Sequence, residues 1–405
     1  MRKKKEVLDE SELEKSLRNW SLVREFNERL CREKTPELVP KTEEDKRRRL
    51  HLGEYLSLIL LQMWNPVLDS MRAICQATHL ERVQKEICHA PVSLGSFSEM
   101  QAVVDPALLE QVLASAVRDL QGRESQISDP QMAKLAQMCQ QAAAIDSTLL
   151  PALKRMLWAE WNGQNAVRLH VKLSVWSELP LKAEVSKARK SERIVWKEMA
   201  QPGDFFIADR YYSGSYRLLE ELSQRGVHIV SRLRCDSILQ QECPIPLRPE
   251  DEAAGVVAQC WANLGGQELG PRLRIIRIGS GKEEVRLVTN LSEEEWPAEL
   301  VALLYRRRWV IELFFRWLKS LLKCRHFLCE SERGVTIQLY LALIGAVLVA
   351  LWTGKRPNKR QLEALRFYFM GWATLDELMS LLNPPPPKKK PKVSLAGYGP
   401  LPDPV

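Results

Sequence analysis

The sequence predicts a mixed α/β fold with a β-rich insertion, preceded by a helical N-terminal region. Residues 138–234 alternate between short apolar segments typical of strands and segments typical of helices. Residues 235–290 contain Pro and Gly turns with basic strand-like runs, and residues 1–125 combine a densely charged flank with apolar runs of helical length. Strands that alternate with helices favour a sheet with parallel pairs. A chain of 405 residues has room for two or three domains.

The composition favours a globular protein with an acidic partner. The apolar fraction of 45% and the charged fraction of 27% are typical of soluble proteins. The net charge of +8 and an isoelectric point near 9.0 favour nucleic acid as that partner. The nine cysteines are scattered without a Cys-x2-Cys pair, which indicates reduced thiols in a cytosolic protein.

Three other kinds of protein are disfavoured by the sequence. The segment Cys324-Arg325-His326-x2-Cys329 has the form of half a zinc site, but no second His/Cys pair stands at a suitable spacing. No secretory signal is predicted, because the basic N-terminus is followed by acids. The longest apolar stretch, Leu339 to Trp352, has 14 residues, whereas a bilayer core needs about 20. We therefore predict a buried helix, no membrane partner and a cytoplasmic location.

The helical N-terminal region is assigned to residues 1–125. Leu56 to Val67 is predicted to be a buried helix that ends near Pro66. Ser96-x2-Glu99 has the pattern of an N-cap box. The region is interpreted either as a DNA-end-binding and oligomerisation surface or as a cover for one face of the sheet that follows.

The second region, residues 138–382, carries the alternating pattern. Predicted strands are 141–146, 167–176, 181–188, 204–209 and 228–234, and predicted helices are 191–200, 215–225 and several between 293 and 382. The β-rich insertion is placed at 235–290. Residues 383–405, rich in Pro and Lys, cannot bury apolar surface and are predicted to be disordered.

A single helical stripe is predicted within residues 305–319. At about 100° per residue, Tyr305, Arg308, Glu312 and Lys319 project from one side, while apolar residues occupy the other. From 305 to 325 the segment holds one acid and seven Lys or Arg residues. A solvated helix face usually mixes signs at i,i+4 spacing, so this stripe favours a site for a metal ion and a polyanion together.

Two further acids are predicted at strand ends, Asp146 and Asp209. In open α/β sheets, sites lie beyond the carboxyl ends of strands. With Glu312, these acids would form an oxygen-rich pocket for Mg²⁺, the ion that supports in-line phosphoryl displacement. Taken singly, Asp146 could instead cap a turn or helix, and Asp209 could shape a turn.

In combination, these motifs resemble a known family, the bacterial insertion-sequence DDE transposases that carry the Tyr-Arg-Glu-Lys signature. Tyr305, Arg308, Glu312 and Lys319 match Y-x2-R-x3-E-x6-K at every spacing. The segments 145–148 (Ile-Asp-Ser-Thr) and 207–212 (Ile-Ala-Asp-Arg-Tyr-Tyr) resemble the family's two aspartate motifs. The similarity covers residues 140–382 and, more loosely, 50–120.

The resemblance implies a ribonuclease-H-like catalytic domain, interrupted by the β insertion. It implies that Asp146, Asp209 and Glu312 bind Mg²⁺, with Mn²⁺ as a substitute, for cleavage at transposon ends and strand transfer into target DNA. It implies that Tyr305, Arg308 and Lys319 contact the DNA, that a homodimer assembles on paired ends, and that the protein associates with the bacterial nucleoid. A DNA hairpin intermediate with a flipped base would need an aromatic platform; the candidates are Trp261, Trp296 and Trp309, each of which could equally be a core residue.

Two other functions use the same residues. A metal-dependent DNA nuclease would need the same acids without transposing. A non-catalytic DNA-binding protein descended from a transposase would be favoured by loss of an acid, yet all three are present. Residues 386–393 also resemble a nuclear localisation signal, which in a chain of bacterial character we interpret as an electrostatic DNA contact.

Overall fold

The computed structural model describes residues 21–39, 43, 45, 48–121, 129–265, 270–279, 284–321, 327–353, 358–370 and 372–382. The Pro/Lys tail, most of the charged N-terminal flank and the segment 324–326 of the half zinc site lie outside the described residues.

The helices and strands run in the following order. Within the described residues, the first seven helices are α1 Ser21–Glu33, α2 Leu52–Trp64, α3 Met71–Ala77, α4 Glu81–Glu86, α5 Leu94–Val103, α6 Pro106–Gln121 and α7 Pro130–Met138. Then come β1 Ala142–Pro151, β2 Glu160–Trp161, β3 Gln164–Ser174, β4 Pro180–Lys187, α8 Glu192–Met199, β5 Phe205–Ala208, α9 Tyr216–Gln224 and β6 His228–Leu233. The insertion contributes β7 Leu239–Pro244, α10 Pro249–Ala253, β8 Val256–Leu264, β9 Arg272–Ile278 and β10 Val285–Thr289. The last helices are α11 Ala298–Arg306, α12 Trp309–Leu321, α13 Glu332–Thr353, α14 Lys359–Phe369 and α15 Leu375–Leu382.

Within the described residues, ten strands form one mixed sheet. Its order is β2-β3-β1-β5-β6-β10-β9-β8-β7, and β4 pairs with β3. β1, β5 and β6 are parallel neighbours, while the remaining pairs are antiparallel. The predicted mixed α/β fold is confirmed. The β character of 235–290 is also confirmed, but these strands extend the main sheet through β10 and β6 rather than forming a separate β unit.

β1 is longer than the sequence predicted, because it forms a hairpin with β3. The antiparallel register runs from Ala143 opposite Ser174 to Pro151 opposite Ala166. Asp146 therefore lies inside the strand rather than at its end. One face of β3 is buried in the core through Val167, Leu169, Val171 and Leu173, whereas Arg168 and Lys172 on the other face are only half-buried.

The two faces of the sheet carry two hydrophobic cores. On one face, alternate residues such as Ala142 and Ala144 pack in the same cluster as the N-terminal helices and α13. On the other, Ala143 packs with α8 and α9 through Trp196 and Leu219. The N-terminal helices therefore cover one face of the sheet, which is one of the two roles considered for them.

The apolar stretch near residue 340 is a core helix. Residues 332–351 are long and apolar enough to cross a bilayer, with a mean hydropathy of 2.2, yet 94% of the segment is buried inside the fold. The predicted buried helix is confirmed.

One local prediction nearer the N-terminus was wrong: α5 is capped by Ser93, whose Oγ accepts from the Ser96 N–H at 3.1 Å, and not by Ser96. The cap accepts from the third residue of the helix that follows it, which places Ser96 inside the helix.

The stripe predicted on one continuous helix is divided between two helices. α11 ends at Arg306 and α12 begins at Trp309. In between, the Arg307 and Arg308 amides donate to the carbonyls three residues back, at 2.9 Å each. The Arg307 guanidinium donates to the Val175 carbonyl at 2.6 and 3.2 Å, which holds the junction against the end of β3. Tyr305 is therefore on α11, whereas Glu312 and Lys319 are on α12.

Candidate active site

Asp146 and Asp209 stand at matching positions on neighbouring parallel strands. The pairing of β1 with β5 ends at Ala144 opposite Ile207. Each aspartate lies two residues further along its own strand direction. The two carboxylates are close enough for Asp209 to raise the pKa of Asp146. The sheet therefore brings together two of the three predicted acids, although β1 itself continues past Asp146.

The surroundings of Asp146 disfavour its charge. Burial of the side chain is the largest cause that raises its pKa, and the carboxylates of Asp209 and Glu192 raise it further. The Ser147 N–H, which donates to Asp146 Oδ1 at 2.7 Å, and the Arg308 cation act in the opposite direction. The net result is a pKa of about 7 for Asp146, so that this acid binds a proton or a cation more readily than an exposed aspartate.

Asp209 is fixed by the loop after β5. Its Oδ1 accepts from the Tyr211 N–H at 2.8 Å, and its carbonyl accepts from the Ser231 hydroxyl at 2.8 Å. The side chain thus shapes a turn, which is the alternative role considered for Asp209 from the sequence. Its other carboxylate oxygen has no protein donor among the described residues. Both roles are compatible, since one oxygen suffices for the turn.

Glu312 is joined to this pair through Arg308. The Arg308 guanidinium forms an ion pair with Glu312 and also lies near enough to Asp146 to affect its pKa. Tyr305 is half-buried beside Arg308; burial raises the pKa of its hydroxyl, and the Asp209 carboxylate raises this pKa further. Tyr305, Arg308, Asp146, Asp209 and Glu312 are thus linked in one electrostatic network.

The convergence of all three acids on one metal stays a prediction. Among the described residues, no three His, Cys, Asp or Glu side chains stand together as a ready-made metal site. Glu312 instead forms an ion pair with Arg308. Lys319 is exposed on α12, two turns beyond Glu312, and within the described residues it forms no hydrogen bond or ion pair with the network.

A fourth acid, Glu192, is part of this network and was not predicted. It stands in the first turn of α8, forms an ion pair with Arg168 of β3 and accepts from the Tyr212 hydroxyl at 3.1 Å. Arg168 also donates to the Ser147 hydroxyl at 3.0 Å. The only sequence signal for Glu192 was that it is an acid in the first turn of a predicted helix. Acids are common at that position in helices of any function.

The three candidate tryptophans differ in exposure. Trp296 is 8% exposed and packs on Phe205 with ring centroids 5.1 Å apart, so it is a core residue. Trp261 is half-buried and donates to Glu293 at 3.0 Å. Trp309 is 48% exposed and directly follows Arg308. Of these three, Trp309 is therefore the most exposed.

Comparison with known proteins places this site in a family. A family model described as a transposase DDE domain matches residues 137–348, which is more than half of the chain. A protein of Geobacillus stearothermophilus named as a transposase for an insertion sequence element is 28% identical over 244 residues, or 57% of this chain and 63% of that protein. The chain thus spans less than two thirds of that relative's length.

Two further proteins are similar to the chain. One from Sinorhizobium fredii, named as a transposase, is 27% identical over 252 residues, or 60% of this chain and 69% of that protein. Among solved structures, the cryo-EM structure of the piggyBac transposase synaptic complex with hairpin DNA aligns with a TM-score of 0.40 and 11% identity over 96% of this chain and 88% of that one. Because the family model covers more than half of its residues, this chain belongs to the transposase DDE domain family.

Proposed function

We propose that this protein is a DNA transposase of the Tyr-Arg-Glu-Lys group, which cuts DNA at the ends of a mobile element and joins them to target DNA. The observation that supports this most strongly is the Asp146–Asp209 pair beside the Arg308–Glu312 ion pair, inside a transposase DDE domain. The domain would be ribonuclease-H-like, with the sheet positioning the two aspartates and α12 carrying the third acid.

A divalent cation fits the donor set. Carboxylate oxygens are the ligands that Mg²⁺ and Mn²⁺ prefer, and the pKa of about 7 at Asp146 indicates a charge left without full compensation by the protein. Asp146 and Asp209 would hold the ion, with Glu312 joining them after it leaves Arg308. When bound, Mg²⁺ or Mn²⁺ supplies Lewis-acid stabilisation of charge on the scissile phosphate.

The cations of the network would position the DNA backbone. A guanidinium has five N–H donors, so Arg308 would bind a phosphate with these donors, including those that Glu312 leaves free. Tyr305, half-buried beside Arg308, would fix the position of that guanidinium. Lys319 would contact a phosphate farther along the strand, because it projects into solvent from α12. Trp309 would stack a flipped base if cleavage passes through a hairpin.

Strand transfer separates this function from simple nuclease activity. The test uses the full chain, Mg²⁺ or Mn²⁺, and DNA from both sides of the gene, in which we expect the inverted repeats of a mobile element. We expect cleavage at the repeats and covalent joining of their 3′ ends to a supercoiled plasmid. Cleavage without joined product would identify a nuclease. DNA binding without cleavage would identify a non-catalytic relative.

A further inference from the structure

A second aromatic ring lies next to the acids and was not among the candidates from the sequence. Tyr211 follows Asp209 by two residues, and its N–H donates to Asp209 Oδ1 at 2.8 Å. The backbone of Tyr211 is therefore fixed directly to one of the two aspartates. The residue is nevertheless 45% exposed, whereas its neighbour Tyr212 is buried beside Glu192.

Arg193 stacks on this ring. Its guanidinium carbon lies 4.6 Å from the centroid of the Tyr211 ring, and its Nε and Nη2 donate to the Tyr211 carbonyl at 3.0 and 2.5 Å. Among the described residues, Arg193 forms no ion pair with a carboxylate. It stands in the first turn of α8, where the helix dipole disfavours a cation. The Arg193 cation therefore does not stabilise the helix at this position, and it is suited to bind an external anion.

The loop after β5 leaves space for this guanidinium. A Cβ atom built on Gly214 would lie 2.6 Å from Arg193 Nη2. The loop itself is fixed to β6, since the Ser213 hydroxyl donates to the Arg232 carbonyl at 2.5 Å. The absence of a side chain at Gly214 thus permits the stacked pair.

We propose that Tyr211 and Arg193 form a nucleotide platform, in which the exposed ring of Tyr211 stacks on an unpaired base and Arg193 binds the adjoining phosphate. This proposal rests on the proposed function. An aromatic ring with an attached guanidinium matches the two surfaces of one nucleotide, a π-face and an anion. The hydrogen bond from Tyr211 to Asp209 places that nucleotide beside the acids that would act on its strand.

The test compares binding of two single-stranded probes to the full-length protein. One is a ten-nucleotide thymidine oligonucleotide, and the other has the same length with abasic sugars. Loss of one aromatic stack on a base lowers affinity by roughly tenfold. We therefore expect Tyr211→Ala to lower affinity for the thymidine probe by about that factor, to leave the abasic probe unaffected, and to be rescued by Tyr211→Phe.

The role of Arg193 is tested by two variants that act differently. Arg193→Gln removes the cation, and Gly214→Ala displaces it while leaving Tyr211 in place. Both should weaken binding of both probes, because both probes carry phosphates. The matched controls are Arg217→Gln, an exposed cation on α9, and Trp372→Ala, a ring 76% exposed in the segment between α14 and α15. Neither control should change the affinity for either probe.

The outcomes separate the platform from the function on which it depends. A Tyr211→Ala protein that binds both probes as the wild type does, or that loses both equally, contradicts base stacking on this ring. If the wild type cleaves gene-flanking DNA while that result is obtained, only the platform is wrong. A wild type that binds neither probe and cleaves nothing contradicts the proposed function itself.

Discussion

At the scale of single residues, Asp146 lowers the stability of the fold when it is charged. It is also one of the acids that we propose for catalysis. The folded chain raises its pKa from 3.8 to about 7. A carboxyl group whose pKa is raised by folding destabilises the fold as the pH rises from the unfolded value to the folded one. Asp146 should therefore cost little stability at pH 4 and most at pH 8.

The first prediction follows from that sign. Asp146→Asn should raise the free energy of unfolding at pH 8 by up to about 4 kcal/mol, at about 1.4 kcal/mol per pKa unit, and should have little effect at pH 4. Urea unfolding at the two pH values measures this. In addition, Mg²⁺ should raise the melting temperature of the wild type but not of the variant, because only an ion bound by the folded state stabilises it. Equal stability of both proteins at pH 8 would contradict the charge environment described for Asp146.

The positions of the two aspartates could be predicted from the sequence, whereas the residues that surround them in the fold could not. Asp146 and Asp209 each follow an apolar run that predicts a strand, and the parallel pairing of β1 with β5 in the structure brings them together. Glu192 comes from α8 and acts with Arg168, a pair separated by 24 positions. No local pattern marks such a pair, because it depends on how α8 packs against β3.

At the scale of elements, three consecutive arginines at the junction between α11 and α12 differ in their contacts. Arg306 is exposed, Arg307 binds the Val175 carbonyl and Glu178, and Arg308 binds Glu312. The sequence alone gave a continuous helix here, because each of these residues is a good helix former. The tertiary contact of Arg307 with the end of β3 ends that helix.

The second prediction uses this difference. Arg307→Ala should destabilise the fold by about 1–3 kcal/mol, since it leaves a buried carbonyl without its donor, and should reduce DNA cleavage by misplacing Arg308. Arg306→Ala is the matched control and should leave stability and cleavage unchanged. Thermal unfolding and a cleavage assay on both variants test this. Cleavage at the wild-type rate by Arg307→Ala would show that the junction does not position Arg308.

The third prediction concerns the cationic surface of α12. If Lys319 contacts a phosphate, Lys319→Ala should reduce the slope of log affinity against log salt concentration by roughly 0.9 on duplex DNA. Lys134→Ala, an exposed lysine on α7, is the control and should keep the slope. A titration of both variants at several salt concentrations decides the matter. An unchanged slope for Lys319→Ala would assign this lysine to a solvated face.

Strand and helix positions between 167 and 234 were well predicted, whereas the pairing of strands was not. Alternation and Gly226, which takes a positive φ of 73° after α9, mark the local elements directly. The extension of the sheet by residues 239–289 depends on β10 pairing with β6. Pairing of distant strands leaves no local signature, so the sequence predicted a β insertion at 235–290 without showing that it extends the main sheet.

At the scale of the whole molecule, the N-terminal helices share a core with one face of the sheet. We propose that the dimer depends on DNA to complete its interface. One site of this kind acts on one strand at a time, while excision of an element requires both of its ends.

The fourth prediction is that the cleaving species contains two chains on paired ends. Sedimentation of the protein alone and with DNA carrying two inverted repeats should show a dimer only with the DNA. DNA with one repeat is the control and should leave a single chain bound. A complex of one chain that cleaves at full rate would overturn the dimer.

The central claim is that Asp146, Asp209 and Glu312 carry Mg²⁺-dependent cleavage, and one measurement tests it most directly. Gene-flanking DNA is incubated with the wild type, Asp146→Asn, Asp209→Asn, Glu312→Gln and, as a control, Asp236→Asn, an exposed acid paired with Arg234. Removal of Lewis-acid stabilisation worth several kcal/mol should lower the rate by about a thousandfold or more in the first three variants. We predict that these three still bind DNA and that Asp236→Asn cleaves as the wild type does. Cleavage at the wild-type rate by any of the three would contradict the site.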